Sequence, residues 1–433
     1  MRRLRLLRLL YTVLVHLATP FILYRLAFRG IRQRSYLDRW RERFGFFDKP
    51  DFESSIVVHA VSVGEFNAAI PLIEALIQRF PDHGLVVTTI TPTGSERVRK
   101  VLGRRVFHVY LPYDLPGSIR RFLRRVKPKL LVVMETEIWP NLYFTCRHHG
   151  VPILIANARL SERSLKGYGP GQPLAQYAVR CASWIAAQSQ TDAERFLQLG
   201  AEPSQVEVVG NVKFDMPVPA GLTQRGREQR ARWGAERPVW MAASTHEGEE
   251  QPVLTAHAKV LQRFPDALLL LAPRHPERFR AAAARCRAYG FNTRQRSEES
   301  LPGPDTQCFV VDTLGELLQF YASADVAFVA GSLEPIGGHN TLEAAALGVP
   351  VLIGPHTFNF EEISERLLGA GAALRVEDAE ALGQQLQRLL GQSALRAQMG
   401  TAGVATVAAQ RGAVRRIVDA AARLVASTNG PRR

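Results

Sequence analysis

The chain has 433 residues, 46% hydrophobic and 22% charged. That is enough for two ordinary domains and too apolar for a disordered polymer. Lys and Arg total 55 against 40 Asp and Glu, and the net charge of +15 favours an anionic partner. The cysteines Cys146, Cys181, Cys286 and Cys308 form no C-x-x-C pair, which disfavours a disulfide scaffold or a cysteine zinc site and suits a reducing compartment.

The excess charge is concentrated at the start. Residues 1–43 carry eleven Arg against Asp38 and Glu42, or +9 of the total. This suits a membrane surface rather than a nucleic-acid groove. Within that segment, LLYTVLVHLATPFILY (residues 9–24) lies between Arg8 and Arg25. As a helix it reaches ~24 Å, short of the ~30 Å hydrocarbon layer, although the flanking arginines can snorkel. His16 and Pro20 weaken a clean crossing. No A-x-A site follows, so an uncleaved anchor is expected instead of a signal peptide. Seven Arg follow the stretch and four precede it, which keeps the body cytoplasmic. A helix lying in the interface is the alternative.

Short apolar runs then alternate with helices. Strands are predicted at 55–60 (SIVVHA), 84–90, 129–135, 152–158 and 183–189, with amphipathic helices at 66–80 and 94–102. Pro, Gly and charge break the rhythm over 211–236, which reads as a linker with a short helix. Strands return at 238–244, 267–273, 307–313, 326–332 and 349–355, and an Ala-rich helical tail covers 394–427. Such alternation indicates parallel βαβ units covered on both faces. The expected fold is α/β. An anchor (1–30) precedes two doubly wound, Rossmann-like domains (31–210 and 237–433) that face a central cleft. The linker 211–236 joins them, and the last helices are free to pack back on the N-terminal domain. Ligands in such sheets sit beyond the carboxyl ends of strands.

Several polar residues fall at those ends. Ser62 and Glu65 form S-x-x-E, a capping box, as do Thr93 with Glu96 and Ser244 with Glu247. Glu65 is therefore either a helix cap or a base at a ligand site, and a helix start normally lowers a carboxylate's pKa. Such an ionised acid can accept a proton. METEIWPN puts Glu135 and Glu137 after an apolar strand, where alternation sends both to one face. Arg159, Arg163 and Lys166 make a cationic loop, and Lys213 stands at the domain junction. Arg274 offers a fork for phosphate, with His275 beside it. Gly337 and Gly338 let backbone approach a phosphate, Asn340 caps the next helix, and Glu343 inside it can accept both hydroxyls of a ribose. HEGEE lacks the second His of a zinc-protease motif, and no Walker loop, G-x-G-x-x-G or Asp-rich metal site is present.

Taken together, SVGE, TPTGSERV, LPYD, METEIWPN, NARLSERS, KFD, STHEGEE, PRHPERF and GGHNTLEAAALGVPVLIGP resemble the 3-deoxy-D-manno-octulosonic acid (Kdo) transferases of Gram-negative lipopolysaccharide synthesis. The resemblance covers nearly the whole chain. It implies an inverting GT-B glycosyltransferase that moves Kdo from CMP-Kdo to the 6′-hydroxyl of a tetraacylated lipid A precursor, often adding a second Kdo. The family's base falls on Glu65, and a further essential acid falls on Glu137 or Glu135. Donor contacts are expected from Lys213, Ser244, Thr245, Arg274, His275, Gly337, Gly338, Asn340 and Glu343. Acceptor contacts are expected from Arg39, Arg43 and Arg159, with Trp40, Phe44, Phe46 and Phe47 at the membrane interface. The resemblance implies no cofactor or catalytic metal, no nucleic-acid partner, and a place on the cytoplasmic face of the inner membrane. The competing readings are a nucleotide-sugar epimerase of the same architecture and a basic nucleic-acid-binding protein.

Overall fold

The computed structural model describes residues 2–298 and 301–428. Met1, residues 299–300 and residues 429–433, which include the outer ends of the expected anchor and second domain, lie outside the described residues. The chain forms two compact units. One runs to Met216 and resumes at Gln410, and the other is Pro217–Ala409.

The first unit is built on a parallel sheet of β1 (Ser55–His59), β2 (Gly84–Thr89), β3 (Phe107–Tyr110), β4 (Pro128–Met134), β5 (Ile153–Ala158), β6 (Trp184–Ala187) and β7 (Val206–Val208). Their spatial order is β3-β2-β1-β4-β5-β6-β7. The direction of winding reverses between β1 and β4, whose registers pair Val58 with Val132 and His59 with Val133. All of β1 is buried, as both-face coverage requires. Ile56 and Val58 pack with Phe66, Leu72 and Leu76 of the helix Val63–Arg79 and with Ile417 and Ala421 of the helix Ala413–Thr428. Val57 packs on the other face, with Phe122, Val126 and Tyr143. The last helix thus completes the first unit's core. Asp215 fixes its start, accepting from the N–H groups of Gly412 (2.6 Å) and Val414 (2.7 Å). A carboxylate at a helix amino end satisfies orphan donors and opposes the dipole.

The second unit repeats the plan with β8 (Val239–Thr245), β9 (Leu268–Pro273), β10 (Thr293–Gln295), β11 (Cys308–Val310), β12 (Val326–Val329), β13 (Val351–Ile353) and β14 (Ala373–Arg375). The order is β10-β11-β9-β8-β12-β13-β14, reversing between β8 and β12. Inside the stretch read as a linker, the helix Leu222–Trp233 buries Trp233 against Phe309 and Phe320.

The N-terminal helix is longer than expected and runs Arg2–Arg32 with Pro20 inside it. Its apolar stretch is Leu6–Ile31, 26 residues, long enough to cross a membrane at about 39 Å. The sequence beyond residue 24, RLAFRGIR, contains good helix formers apart from Gly30, so the arginines continue the helix instead of ending it. Leu6, Leu10, Val13, Leu17, Phe21 and Tyr24 are exposed along it.

Candidate active site

In a doubly wound sheet the ligand crevice opens where the winding reverses, at the carboxyl ends of the two strands. In the first unit these are the ends of β1 and β4, which lead to Glu65 and to Glu135 and Glu137. Ser62 caps the helix Val63–Arg79, its hydroxyl accepting from the Glu65 N–H at 3.4 Å. Glu65 reaches back to the Val61 N–H at 2.8 Å, one residue before the reciprocal partner of an ideal capping box. Its carboxyl is pushed up to about 7, first by burial and then by the charges of Glu135 and Glu137. This reverses the low pKa expected of a helix start. The Val61 N–H and Ser62 pull the other way but are outweighed.

Glu135 and Glu137 do not sit in the strand, so alternation does not govern them. The strand β4 ends at Met134, and Glu135 turns the chain with φ 58°, a left-handed conformation unusual for a non-glycine residue. Burial raises the Glu137 pKa, and Glu135 adds to the rise. The Trp139 indole N–H donates to Glu137 Oε2 at 2.9 Å, and the Tyr143 hydroxyl donates to the Glu137 carbonyl at 3.0 Å. Two acids expected on one face therefore belong to a braced turn, and both press electrostatically on Glu65.

The motif LPYD has a structural part that sequence reading missed. The Asp114 carboxylate accepts from the N–H groups of Asn141 (2.9 Å) and Leu142 (2.8 Å), capping the helix Pro140–His148 from a distant loop. It also accepts from the Tyr11 hydroxyl of the N-terminal helix at 2.9 Å. Burial lifts this carboxyl to about 6.

The three arginines assigned to the acceptor fare differently. Arg43 is 3% exposed, donates to the Ile90 carbonyl and stacks over the Tyr110 ring. Arg39 donates to the His108 carbonyl at 2.7 Å and to Ser95 at 3.2 Å. Both therefore brace the body of the fold and do not stand as open cations, because the segment after the N-terminal helix lies across β2 and β3. Arg159 is exposed just beyond β5. Trp40 and Phe46 are exposed, whereas Phe47 packs against Phe107 and Phe122. The helix of the TPTGSERV stretch starts at Pro92 with Thr91 as its cap, so the Thr93–Glu96 box does not form.

In the second unit the reversal lies between β8 and β12. The Ser244–Glu247 box does not form either, because Ser244 and Thr245 still belong to β8, and Ser244 has φ 59°. The capping box instead lies two residues on, between His246 and Glu249. The buried Glu249 carboxylate accepts from the N–H groups of Gly331 (2.7 Å), Ser332 (2.9 Å) and Leu333 (3.0 Å). It thereby fixes the turn that leaves β12. Gly331 there has φ 72°, and a Cβ would lie 2.8 Å from the His339 ring.

His339 stacks on His246 with ring centroids 5.1 Å apart, and their Nε2 atoms lie 2.8 Å apart. His275 meets His246 edge-on at 5.4 Å. Burial, with Arg274 and the other two histidines, lowers His339 to about 4. Burial raises Glu343, while Asn340 and Arg274 oppose the rise. Asn340 Nδ2 donates to Glu343 Oε1 at 3.2 Å and its oxygen accepts from the Leu342 N–H, but the N-cap of the helix Leu342–Ala346 is Thr341, so Asn340 stands one residue before the cap expected of it. Arg274 and His275 are exposed just past β9. Gly337 (φ 107°) and Gly338 (φ 77°) fold the intervening loop, and the Gly338 N–H donates to the Gly331 carbonyl. The structure thus gathers Arg274, His275, His339, Asn340 and Glu343. Thr245 is wholly buried beneath them in its strand, and Lys213, in the other unit, is half-buried after β7. His246, His339 and Glu249 were missed, although GGHN and the double acid in HEGEE marked them. Among the described residues no group of three or more His, Cys, Asp or Glu is placed to hold a metal ion.

Two parallel seven-stranded sheets, each with polar groups at its reversal point, make the GT-B architecture, and the match of the second unit to a glycosyltransferase family assigns the class. Residues 38–216 match the family described as 3-Deoxy-D-manno-octulosonic-acid transferase (kdotransferase), and residues 251–406 match Glycosyl transferases group 1. The chain is 41% identical over 415 residues to the 3-deoxy-D-manno-octulosonic acid transferase of Haemophilus influenzae, covering 95% of this chain and 97% of the relative. It is 38% identical over 424 residues to that of Bordetella pertussis, covering 92% and 97%. The structure of UDP-GlcNAc 2-epimerase from Neisseria meningitidis, 13% identical, superposes with a TM-score of 0.57 over 85% of this chain and all of that one, a likeness of fold alone. The chain belongs to the 3-deoxy-D-manno-octulosonic acid transferase family and is an enzyme of Kdo transfer. The epimerase and nucleic-acid readings give way to that membership.

Proposed function

We propose that the enzyme transfers Kdo from CMP-Kdo to the 6′-hydroxyl of a tetraacylated lipid A precursor, with inversion, and then adds a second Kdo. It works at the cytoplasmic face of the inner membrane, held there by its N-terminal helix and the surrounding arginines against anionic lipid. The observation that carries this reading is the place of Glu65 at the first unit's reversal point, half-buried and accepting from the Val61 N–H, where burial and then Glu135 and Glu137 push its carboxyl up to about 7. A base with a pKa near the working pH is ionised often enough to act and basic enough to accept the proton.

In the step proposed, Glu65 takes the proton of the acceptor hydroxyl as its oxygen bonds to the Kdo anomeric carbon. The bond from that carbon to the CMP phosphate oxygen breaks, and the electron pair leaves with the phosphate. Arg274 and His275 receive the growing negative charge. Asn340 and Glu343 hold the nucleoside, and the Gly337–Gly338 loop brings main chain close to it. Glu137, fixed by Trp139, orients the acceptor, and Arg159 contacts its phosphate. The test is mass spectrometry of the lipid after incubation with CMP-Kdo and the tetraacylated precursor. Lipid heavier by one and then two Kdo units supports the reading. Release of CMP without any change in the lipid refutes it.

A further inference from the structure

The first unit contains a pocket of about 340 Å³ whose walls include Tyr11, Glu137, Ile138, Trp139, Tyr168 and Leu174. One wall belongs to the N-terminal helix, so that helix does more than tether the enzyme. It is held in register by three side-chain contacts. Tyr11 donates to Asp114 (2.9 Å), while Thr12 (3.2 Å) and Arg8 (3.3 Å) both donate to Asn141 Oδ1. The Arg8 guanidinium also lies 4.9 Å over the Phe144 ring. These contacts converge on the start of the helix Pro140–His148, directly after Ile138 and Trp139. The pocket is amphiphilic. Its lining is mostly apolar, and its carboxylate is Glu137, the acid that presses on Glu65.

We propose that this pocket takes an acyl chain of the glycolipid acceptor, so that the N-terminal helix forms part of the acceptor site. The assignment rests on the lipid-acceptor reading above and adds where the lipid portion binds. The occupant follows from the walls. One is a helix apolar enough to sit in a membrane, with Leu10, Val13 and Leu14 exposed around Tyr11. A ligand entering beside that helix comes from lipid. A sugar would bury hydroxyls against a mostly apolar lining that offers them few hydrogen-bond partners, whereas a hydrocarbon chain fills it and leaves the polar head at Glu137.

Gly171 permits a test, because it lines the pocket and a Cβ there meets nothing within 4 Å. Full-length Gly171→Ala and Gly171→Leu give graded filling. In detergent, kcat/KM is measured with acceptors bearing long and truncated acyl chains. Gly171→Leu is expected to lose tenfold or more with the long-chain acceptor and little with the truncated one, since hydrophobic pockets discriminate by about that much per misplaced carbon. CMP affinity should not move. In parallel, an acceptor with a photoreactive group on its acyl chain should label the wild-type peptides containing Tyr11 or Trp139. Equal losses with both acceptors, or labelling elsewhere, would overturn the assignment. A wild-type enzyme that modifies no lipid acceptor would instead overturn the proposed function.

Discussion

Replacing Glu65 by Gln separates the environment of this carboxyl from its chemistry. The rise from 4.5 to about 7 corresponds to about 3 kcal/mol at full burial. The side chain keeps some access to water, which brings the expected effect to about 1–2 kcal/mol. The sign follows from proton binding. Below pH 4.5 both folded and unfolded chains hold the proton. Between 4.5 and 7 the unfolded chain releases it first, so the folded state loses stability as pH rises, and the full cost stands above 7. Gln has no such cost and can still accept from the Val61 N–H. Wild type and Glu65→Gln should therefore melt alike near pH 5, and the variant should be the more stable at pH 8.5. The gap should be a few degrees, at about 2–4 °C per kcal/mol for a unit of this size. Transfer by the wild type should rise about tenfold per pH unit up to pH ~7 and then level, and the variant should lose at least ~100-fold. A melting difference that does not change with pH would show that this carboxyl does not titrate near neutrality. Undiminished transfer by the variant would remove it as the base.

The remaining predictions concern the scaffolding. Glu249→Ala leaves the Gly331, Ser332 and Leu333 N–H groups without their acceptor and should cost about 3–5 kcal/mol, read by thermal unfolding, together with CMP affinity. An unchanged melt would mean that the turn holds itself. Gly331→Ala, placed at φ 72° and against the His339 ring, should weaken CMP binding in calorimetry much more than it lowers the melting temperature. Asp114→Ala removes a helix cap and the Tyr11 acceptor and should cost about 1–3 kcal/mol. Because burial raises Asp114 to about 6, the loss should be largest at acidic pH and shrink as pH rises through 6.

The long strands of both sheets were legible because burial on two faces writes continuous apolar runs such as SIVVH and LLLLAP. The strands β7, β10 and β14 were not legible. Each has three residues, and VEV, TRQ and ALR carry polar side chains at the sheet edges. Glu65, Glu137, Arg274, Asn340 and Glu343 were legible as polar residues at strand ends. Their electrostatics were not, because the Glu65 pKa depends on burial in the folded unit and then on acids seventy residues away. Arg39 and Arg43 misled for the opposite reason. A basic run reads as a solvated surface, but whether a guanidinium finds a carbonyl such as that of Ile90 is decided by tertiary packing.

The two units show how one local solution acquires two uses. VVHAVSVGEF and VWMAASTHEGEE each leave the first strand of a doubly wound sheet and start a helix with a glutamate at its third position, Glu65 or Glu249. What differs is the strand across the reversal point. β12 ends in a turn that presents three main-chain N–H groups, and Glu249 is consumed by them. β4 ends in two carboxyls, which offer Glu65 no donor and press its proton on. Glu65, partly buried and then crowded by those acids, is pushed up toward neutrality. The surroundings of each glutamate are thus set by burial and by the neighbouring strand, and not by its own motif.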